Sequence, residues 1–182
     1  MRIDTERLVV RQFEPSDVDV LHAVCSDPEV VRFVDIGEPL PRDQCELWIE
    51  RSLANCESRG YGAAAVIERA TGAFIGYAGI VFAPDRTEPE IIYAFEKAAW
   101  GRGFASELVP PLVRFGLIDC RLPLLLATIA AETTPSRRVV EKCGFRLREI
   151  EENADGSATA VYEITASDLS ECNEPSRPRS GR

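Results

Sequence analysis

Between residues 90 and 117 the sequence passes from an extended apolar run, EIIYAF at 90–95, through Trp100-Gly101-Arg102-Gly103, into a stretch with Leu108, Leu112, Val113 and Phe115 on one helical face. A strand that feeds a helix through a glycine turn commits the chain to a crossover. The strand such a crossover needs follows at 124–129, which is short and almost wholly apolar, as a buried strand is. Upstream the period differs. Residues 61–68 and 74–82 are extended runs joined by Arg69-Ala70-Thr71-Gly72, and 83–86 (APDR) breaks the pattern before residue 90. Three adjacent antiparallel strands are therefore expected before the crossover.

The flanking segments complete the plan. Residues 5–12 (TERLVVRQ) read as a strand, and Glu14-Pro15-Ser16-Asp17 starts a helix carrying Val18, Leu21 and Cys25. Pro41 opens a second helix, with Cys45, Trp48, Ile49, Leu53 and Cys56 on one stripe, which Gly60 stops. Beyond the crossover, Thr133-Thr134-Pro135-Ser136 supplies a cap and a first-turn proline for a helix through Val139, Val140 and Cys143, ended by Gly144. Residues 145–151 and 159–165 flank the turn-rich segment 153–157 and predict a closing hairpin. Pro110-Pro111 falls inside the crossover helix and predicts a kink or an early break there. The expectation is an α/β fold with a mixed, mostly antiparallel central sheet and flanking helices. It forms a single domain over residues 1–170, with 171–182 as a disordered tail that has no large apolar side chain after Cys172.

Composition removes several chemistries. Thirty acidic against 21 basic residues leave a net charge of −9, which argues against a surface built to track phosphate backbones or anionic lipid, so neither nucleic acid nor membrane is an expected partner. No apolar run approaches the roughly 18 residues of a membrane helix, and the opening MRIDTE has no signal-peptide core, so a cytoplasmic location is expected. Six cysteines at irregular spacings, with no C-x-x-C, and a single histidine, His22, give no metal-site signature.

Trp100-Gly101-Arg102-Gly103-Phe104-Ala105-Ser106 lies after a strand and opens a helix. Small residues there let free main-chain N–H groups and the helix dipole converge on one point, which suits a phosphate or diphosphate. A P-loop would need Gly-Lys followed by Ser or Thr, and a dinucleotide fingerprint a third glycine where Ser106 stands; neither is present. By itself the turn is equally read as glycine serving geometry.

The run EIIYAFEKAAWGRGFA at 90–105, followed by ETTPSRRVVEKCGF at 132–145, resembles the GNAT acyltransferase superfamily. With TERL at 5–8 and TGAFIG at 71–76, it is most similar to the branch that includes the N-terminal acetyltransferases of ribosomal proteins, over residues 5–165. The resemblance implies strands splayed at a cofactor site and an acetyl transfer from acetyl-coenzyme A to a primary amine, a protein or peptide N-terminus being favoured, in a ternary complex. It implies that Trp100, Gly101, Arg102, Gly103, Phe104, Ala105 and Ser106 hold the diphosphate, that the strand around Tyr93, Ala94 and Phe95 pairs its main chain with the pantetheine arm, and that Thr133 and Ser136 also contact the cofactor. No metal is implied, and a homodimer is compatible with that branch.

A neutral amine nucleophile calls for a base, since α-amines have a pKa near ~8 and lysine-type amines near ~10.4. Glu90, where the strand begins, is the first choice, against a reading as a strand-edge carboxylate in solvent. The tyrosine that many members place four residues before the Gly-Phe is Val140 here, and an asparagine three residues before the motif serine is Thr133. Ser136 is then the nearest acid, against a reading as an ordinary first-turn residue. Arg137, Arg138 and Lys142 read as a solvated helix face rather than cofactor contacts. The alternative to catalysis is a coenzyme-A-binding module without turnover.

Overall fold

Strand Ala63–Glu68 (β3) is buried at every position but Ile67, because its two faces are covered by different layers. In the computed structural model, which describes residues 1–32, 38–83 and 86–172, Ala64 and Val66 join one apolar cluster, and Ala63 and Ala65 join another. The first cluster is covered by Phe104, Leu108, Leu112 and Val113 of helix Phe104–Arg114 (α4) and Val140 of helix Thr134–Lys142 (α5). The second is covered by Val18, Leu21 and Val24 of helix Val18–Cys25 (α1) and by Cys45 and Ile49 of helix Arg42–Arg59 (α3). Burying each Leu or Val side chain contributes roughly 1.5–3 kcal/mol, so both faces anchor the sheet.

Before β3 come Arg2–Asp4 (β1) and Leu8–Arg11 (β2), and after it come Phe74–Phe82 (β4), Pro89–Phe95 (β5), Leu124–Ala130 (β6), Arg146–Glu152 (β7) and Ala158–Thr165 (β8). They form one sheet in the order β1-β2-β3-β4-β5-β6-β8-β7. Every pair is antiparallel except β5 with β6, the pair that the crossover helix joins. This is the mixed, mostly antiparallel α/β architecture expected from the sequence.

Several boundaries differ from the sequence pattern. The expected strand 5–12 is shortened to β2, because Thr5 and Arg7 turn aside to bond Glu107, and β1 precedes it. Pro28–Val31 (α2) lies in the segment between α1 and α3; residues 33–37 of that segment, and Pro84 and Asp85 of the expected breaker, lie outside the described residues. Helix α4 is not broken at Pro110-Pro111 but runs to Arg114, followed by one π-helical turn, Phe115–Asp119. Pro110 is exposed and Pro111 half-exposed, so the lost N–H groups lie away from the core, where water can serve the carbonyls they leave. Ala166–Cys172 (α6) follows β8, and residues 173–182 of the expected tail lie outside the described residues.

Cys25, Cys45 and Cys56 are buried as free thiols, and burial pushes the pKa of each upward, as suits inert core residues. Among the described residues no helix is long and apolar enough to cross a membrane.

Candidate active site

The sheet comes apart where the crossover occurs. β4 and β5 stay in register from Gly76 opposite Phe95 to Phe82 opposite Pro89, and β6 pairs with β8 along its whole length, whereas β5 and β6 share one registered pair, Glu90 with Leu126. Beyond that rung the two parallel strands diverge into a fork. The Glu96 N–H donates to the Ile75 carbonyl at 2.9 Å, and main-chain groups alternate sides along a strand, so the N–H and C=O of Phe95 point into the fork. The Phe95 carbonyl accepts the Trp100 indole N–H at 2.8 Å.

Past the end of β5, the chain makes the glycine turn. Gly101 and Gly103 have φ of 71° and 79°, a left-handed conformation that costs other residues roughly 1–2 kcal/mol, so the glycines there are required by geometry. Gly103 caps α4, whose first turn is Phe104, Ala105 and Ser106; Phe104 is buried and Ser106 is exposed. Arg7 braces this turn from below. Its Nη1 donates to the Arg102 carbonyl at 2.9 Å, its Nε donates to Glu107 Oε2 at 2.6 Å, and its main-chain N–H donates to Glu107 Oε1 at 2.7 Å. Arg7 and Arg102 both lie over the Phe104 ring, at 4.7 and 4.6 Å from its centroid. Burial would raise the Glu107 carboxyl, but the hydrogen bonds from Thr5 and Arg7 outweigh it and hold the pKa low. The Arg102 guanidinium, expected as a ligand donor, is paired with Glu68, and this hydrogen bond keeps the Glu68 carboxyl below the ordinary range.

The two faces of β5 carry different chemistry. Ile92 and Ala94 pack on the α1/α3 side, and Glu90 shares their parity. Glu90 is 4% exposed and accepts the hydroxyl of Thr128, on β6 two residues beyond the rung, at 2.6 Å, so it is not the solvated carboxylate of the alternative reading. Ile91, Tyr93 and Phe95 pack on the α4/α5 side. There Ser136, half-buried in the first turn of α5, lies beside the Tyr93 hydroxyl, and Thr133 is 6% exposed just before the helix. Arg137 is neither a solvated charge nor free for a ligand: it donates to Tyr162 Oη at 2.9 Å and to the Ala131 carbonyl at 3.0 Å, while the Tyr162 hydroxyl donates to Glu141 at 2.7 Å. Arg138 and Lys142 are exposed, as a solvated face requires.

The fork thus brings together Glu90, the Phe95 main-chain N–H, the glycine turn, Thr133 and Ser136. Arg7, Glu68, Glu107 and Thr128 were not foreseen as neighbours of this site. Among the described residues no group of three or more His, Cys, Asp or Glu side chains is arranged to hold a metal.

A family model described as an acetyltransferase (GNAT) domain matches residues 7–146. The chain is 32% identical over 167 residues to the uncharacterized N-acetyltransferase p20 of Bacillus licheniformis, a match spanning 87% of this chain and 91% of that protein. Solved structures of other acetyltransferases share the fold. RimL, a ribosomal L7/L12 alpha-N-protein acetyltransferase in complex with coenzyme A, superposes with a TM-score of 0.76 at 16% identity, covering 93% of this chain and 99% of that one. The spermidine/spermine N-acetyltransferase SpeG of Vibrio cholerae superposes with a TM-score of 0.72 at 18% identity, covering 92% and 99%. The chain belongs to the GNAT acetyltransferase family.

Proposed function

We propose that residues 1–170 form a single catalytic domain that transfers acetyl from acetyl-coenzyme A to a primary amine by direct attack in a ternary complex. The observation that carries this reading is the fork. An added strand needs main-chain groups that face it, and a diphosphate needs convergent N–H groups; the Phe95 N–H, which points into the fork, supplies the first, and the turn from Trp100 to Ser106 supplies the second. Thr133 Oγ1, buried without a hydrogen bond, suits a pantetheine amide, and Ser136 lies in the first turn of the helix that Thr133 precedes. The bound acetyl-coenzyme A would supply an activated thioester.

The chain's own residues divide the remaining work by face. Glu90, on the α1/α3 side, takes the amine proton through water. Ser136, on the α4/α5 side, faces the departing thiol. The known acceptors of structural relatives differ: RimL is named for a protein α-amine and SpeG for a polyamine. A protein or peptide N-terminus is favoured here on the likeness of TERL and TGAFIG to the ribosomal-protein branch, and the net charge of −9 favours a cationic acceptor of either kind.

Calorimetry with acetyl-coenzyme A and coenzyme A, followed by an amine screen that detects released thiol, tests the proposal. Binding with turnover on at least one amine is expected. Absence of binding at millimolar ligand overturns it, and binding without turnover on any peptide or small amine leaves a coenzyme-A-binding module. The Gly101→Asp, Gly103→Asp double variant provides the control: it should remain folded and lose the ligand.

A further inference from the structure

Two hydroxyls among the described residues are buried without a hydrogen bond, Tyr93 Oη and Thr133 Oγ1, and both border the fork. An unsatisfied buried polar group destabilises the fold, and a folded protein that keeps one calls for a reason. Thr133 has its reason in the pantetheine arm. Tyr93 has none so far. Its ring packs in the α4/α5 cluster, 6.4 Å from the Phe95 ring, where phenylalanine would fill the same space without the hydroxyl. The strand offers this phenol opposite Ser136, on the helix where Val140, wholly buried, offers no hydroxyl. The Ser136 side chain is near enough to ease ionisation of the phenol, yet the two do not reach hydrogen-bonding geometry, so the Tyr93 O–H remains available to a third atom.

We infer that Tyr93 is the hydrogen-bond donor to the sulfur of the departing coenzyme A. The inference rests on the acetyl-transfer reading. When the amine nitrogen bonds to the thioester carbon and the C–S bond breaks, the bonding pair goes to sulfur. The Tyr93 O–H caps the thiolate as it forms. The amine proton passes through water to Glu90, and the thiolate takes a proton from solvent on release, so Tyr93 begins and ends protonated. Burial pushes the Tyr93 phenol upward and keeps it a donor through neutral pH.

The test uses the full chain and does not require the acceptor to be known. At about pH 9, above the ~8.5 pKa of a thiol, coenzyme A presents a thiolate and desulfo-coenzyme A does not. The wild-type chain is expected to prefer coenzyme A by roughly tenfold in calorimetry, and Tyr93→Phe should abolish that preference while leaving desulfo-coenzyme A affinity unchanged. Removing an unsatisfied hydroxyl should also leave the melting temperature of the free protein equal or higher. With an active amine, kcat should fall roughly 10- to 100-fold while KM for acetyl-coenzyme A stays within about twofold. A preference that survives in Tyr93→Phe, or equal losses for both ligands, overturns the inference. A wild-type chain that binds neither ligand overturns the acetyl-transfer reading itself.

Discussion

Arg7 and Glu107, 100 residues apart, are joined by two hydrogen bonds, one from the Arg7 main chain at 2.7 Å and one from its guanidinium at 2.6 Å. Through this pair the chain's opening segment reaches under the glycine turn, and the same guanidinium takes up the Arg102 carbonyl. A turn held from beneath presents its N–H groups in one arrangement before any ligand arrives, which is what preorganisation for an anion requires. Arg7→Gln should therefore weaken coenzyme A binding by roughly tenfold, about 1.4 kcal/mol, while leaving acetyl-pantetheine, which lacks the nucleotide diphosphate, unaffected. Parallel titrations with the two ligands check this. An equal loss for both would mean that Arg7 supports the fold in general rather than the turn.

Glu68 competes with any anion for Arg102. Their ion pair lies at the end of β3, with the Arg102 side chain 46% exposed and Glu68 nearly buried. A diphosphate that recruits Arg102 must first displace this carboxylate. Glu68→Gln removes the competing charge and is expected to tighten coenzyme A binding by roughly threefold, within the ~0–1 kcal/mol typical of such pairs. Weaker binding in the variant would show that Glu68 holds Arg102 in its productive position.

Glu90 should reveal itself in the pH profile. If it accepts the amine proton, Glu90→Gln lowers kcat roughly 100-fold near neutral pH and loses less as the pH approaches the amine pKa, where the free nucleophile no longer needs a base. Rates measured across about pH 6 to 10 decide the matter. A uniform loss at every pH would instead assign Glu90 to holding β5 against β6 through its hydrogen bond with Thr128.

Acid stability should follow Asp17. This buried carboxylate accepts two hydrogen bonds from Arg11, at 2.7 and 2.9 Å, and one from the Glu14 N–H at 2.8 Å. Burial opposes ionisation, but these bonds prevail and the pKa is lowered. A carboxyl depressed in the folded state contributes stability that is complete above its unfolded value, near ~3.9, and is lost as the pH falls through the folded value. Asp17→Asn should cost about 2 kcal/mol at neutral pH and little once the pH is below the folded value, giving a flatter acid-denaturation curve. Urea melts at the two pH values measure it.

Much of the architecture was legible because the period of the apolar residues changes at the elements' edges. The run at 90–95, the glycine turn and the stripe from Leu108 to Phe115 are local signals, and they predicted β5, α4 and the crossover to β6. Local signals failed where a partner lies far along the chain. Nothing near Thr5 or Arg7 announces Glu107, and nothing near Arg137 announces Tyr162 or the Ala131 carbonyl. The prolines of α4 misled because their cost depends on which side of the helix they occupy, and that side becomes known only once the core is placed. Tyr93 was visible in the sequence as part of a strand. Its hydroxyl carried no signal, although alternation along EIIYAF puts one polar tip between the apolar Ile91 and Phe95 on a single face.

The single rung between β5 and β6 has a mechanical meaning as well. The sheet consists of two well-bonded blocks, β1 to β5 and β6 to β8, and the spacing between their facing edges beyond Glu90 is set by the packing of α4 beneath them rather than by strand pairing. That spacing is adjustable from the core. A one-methylene change at Leu108 or Leu112, neither of which borders the fork, would alter the gauge of the slot and with it the fit of whatever lies there, so ligand affinity in this protein can drift under substitutions that never touch the ligand.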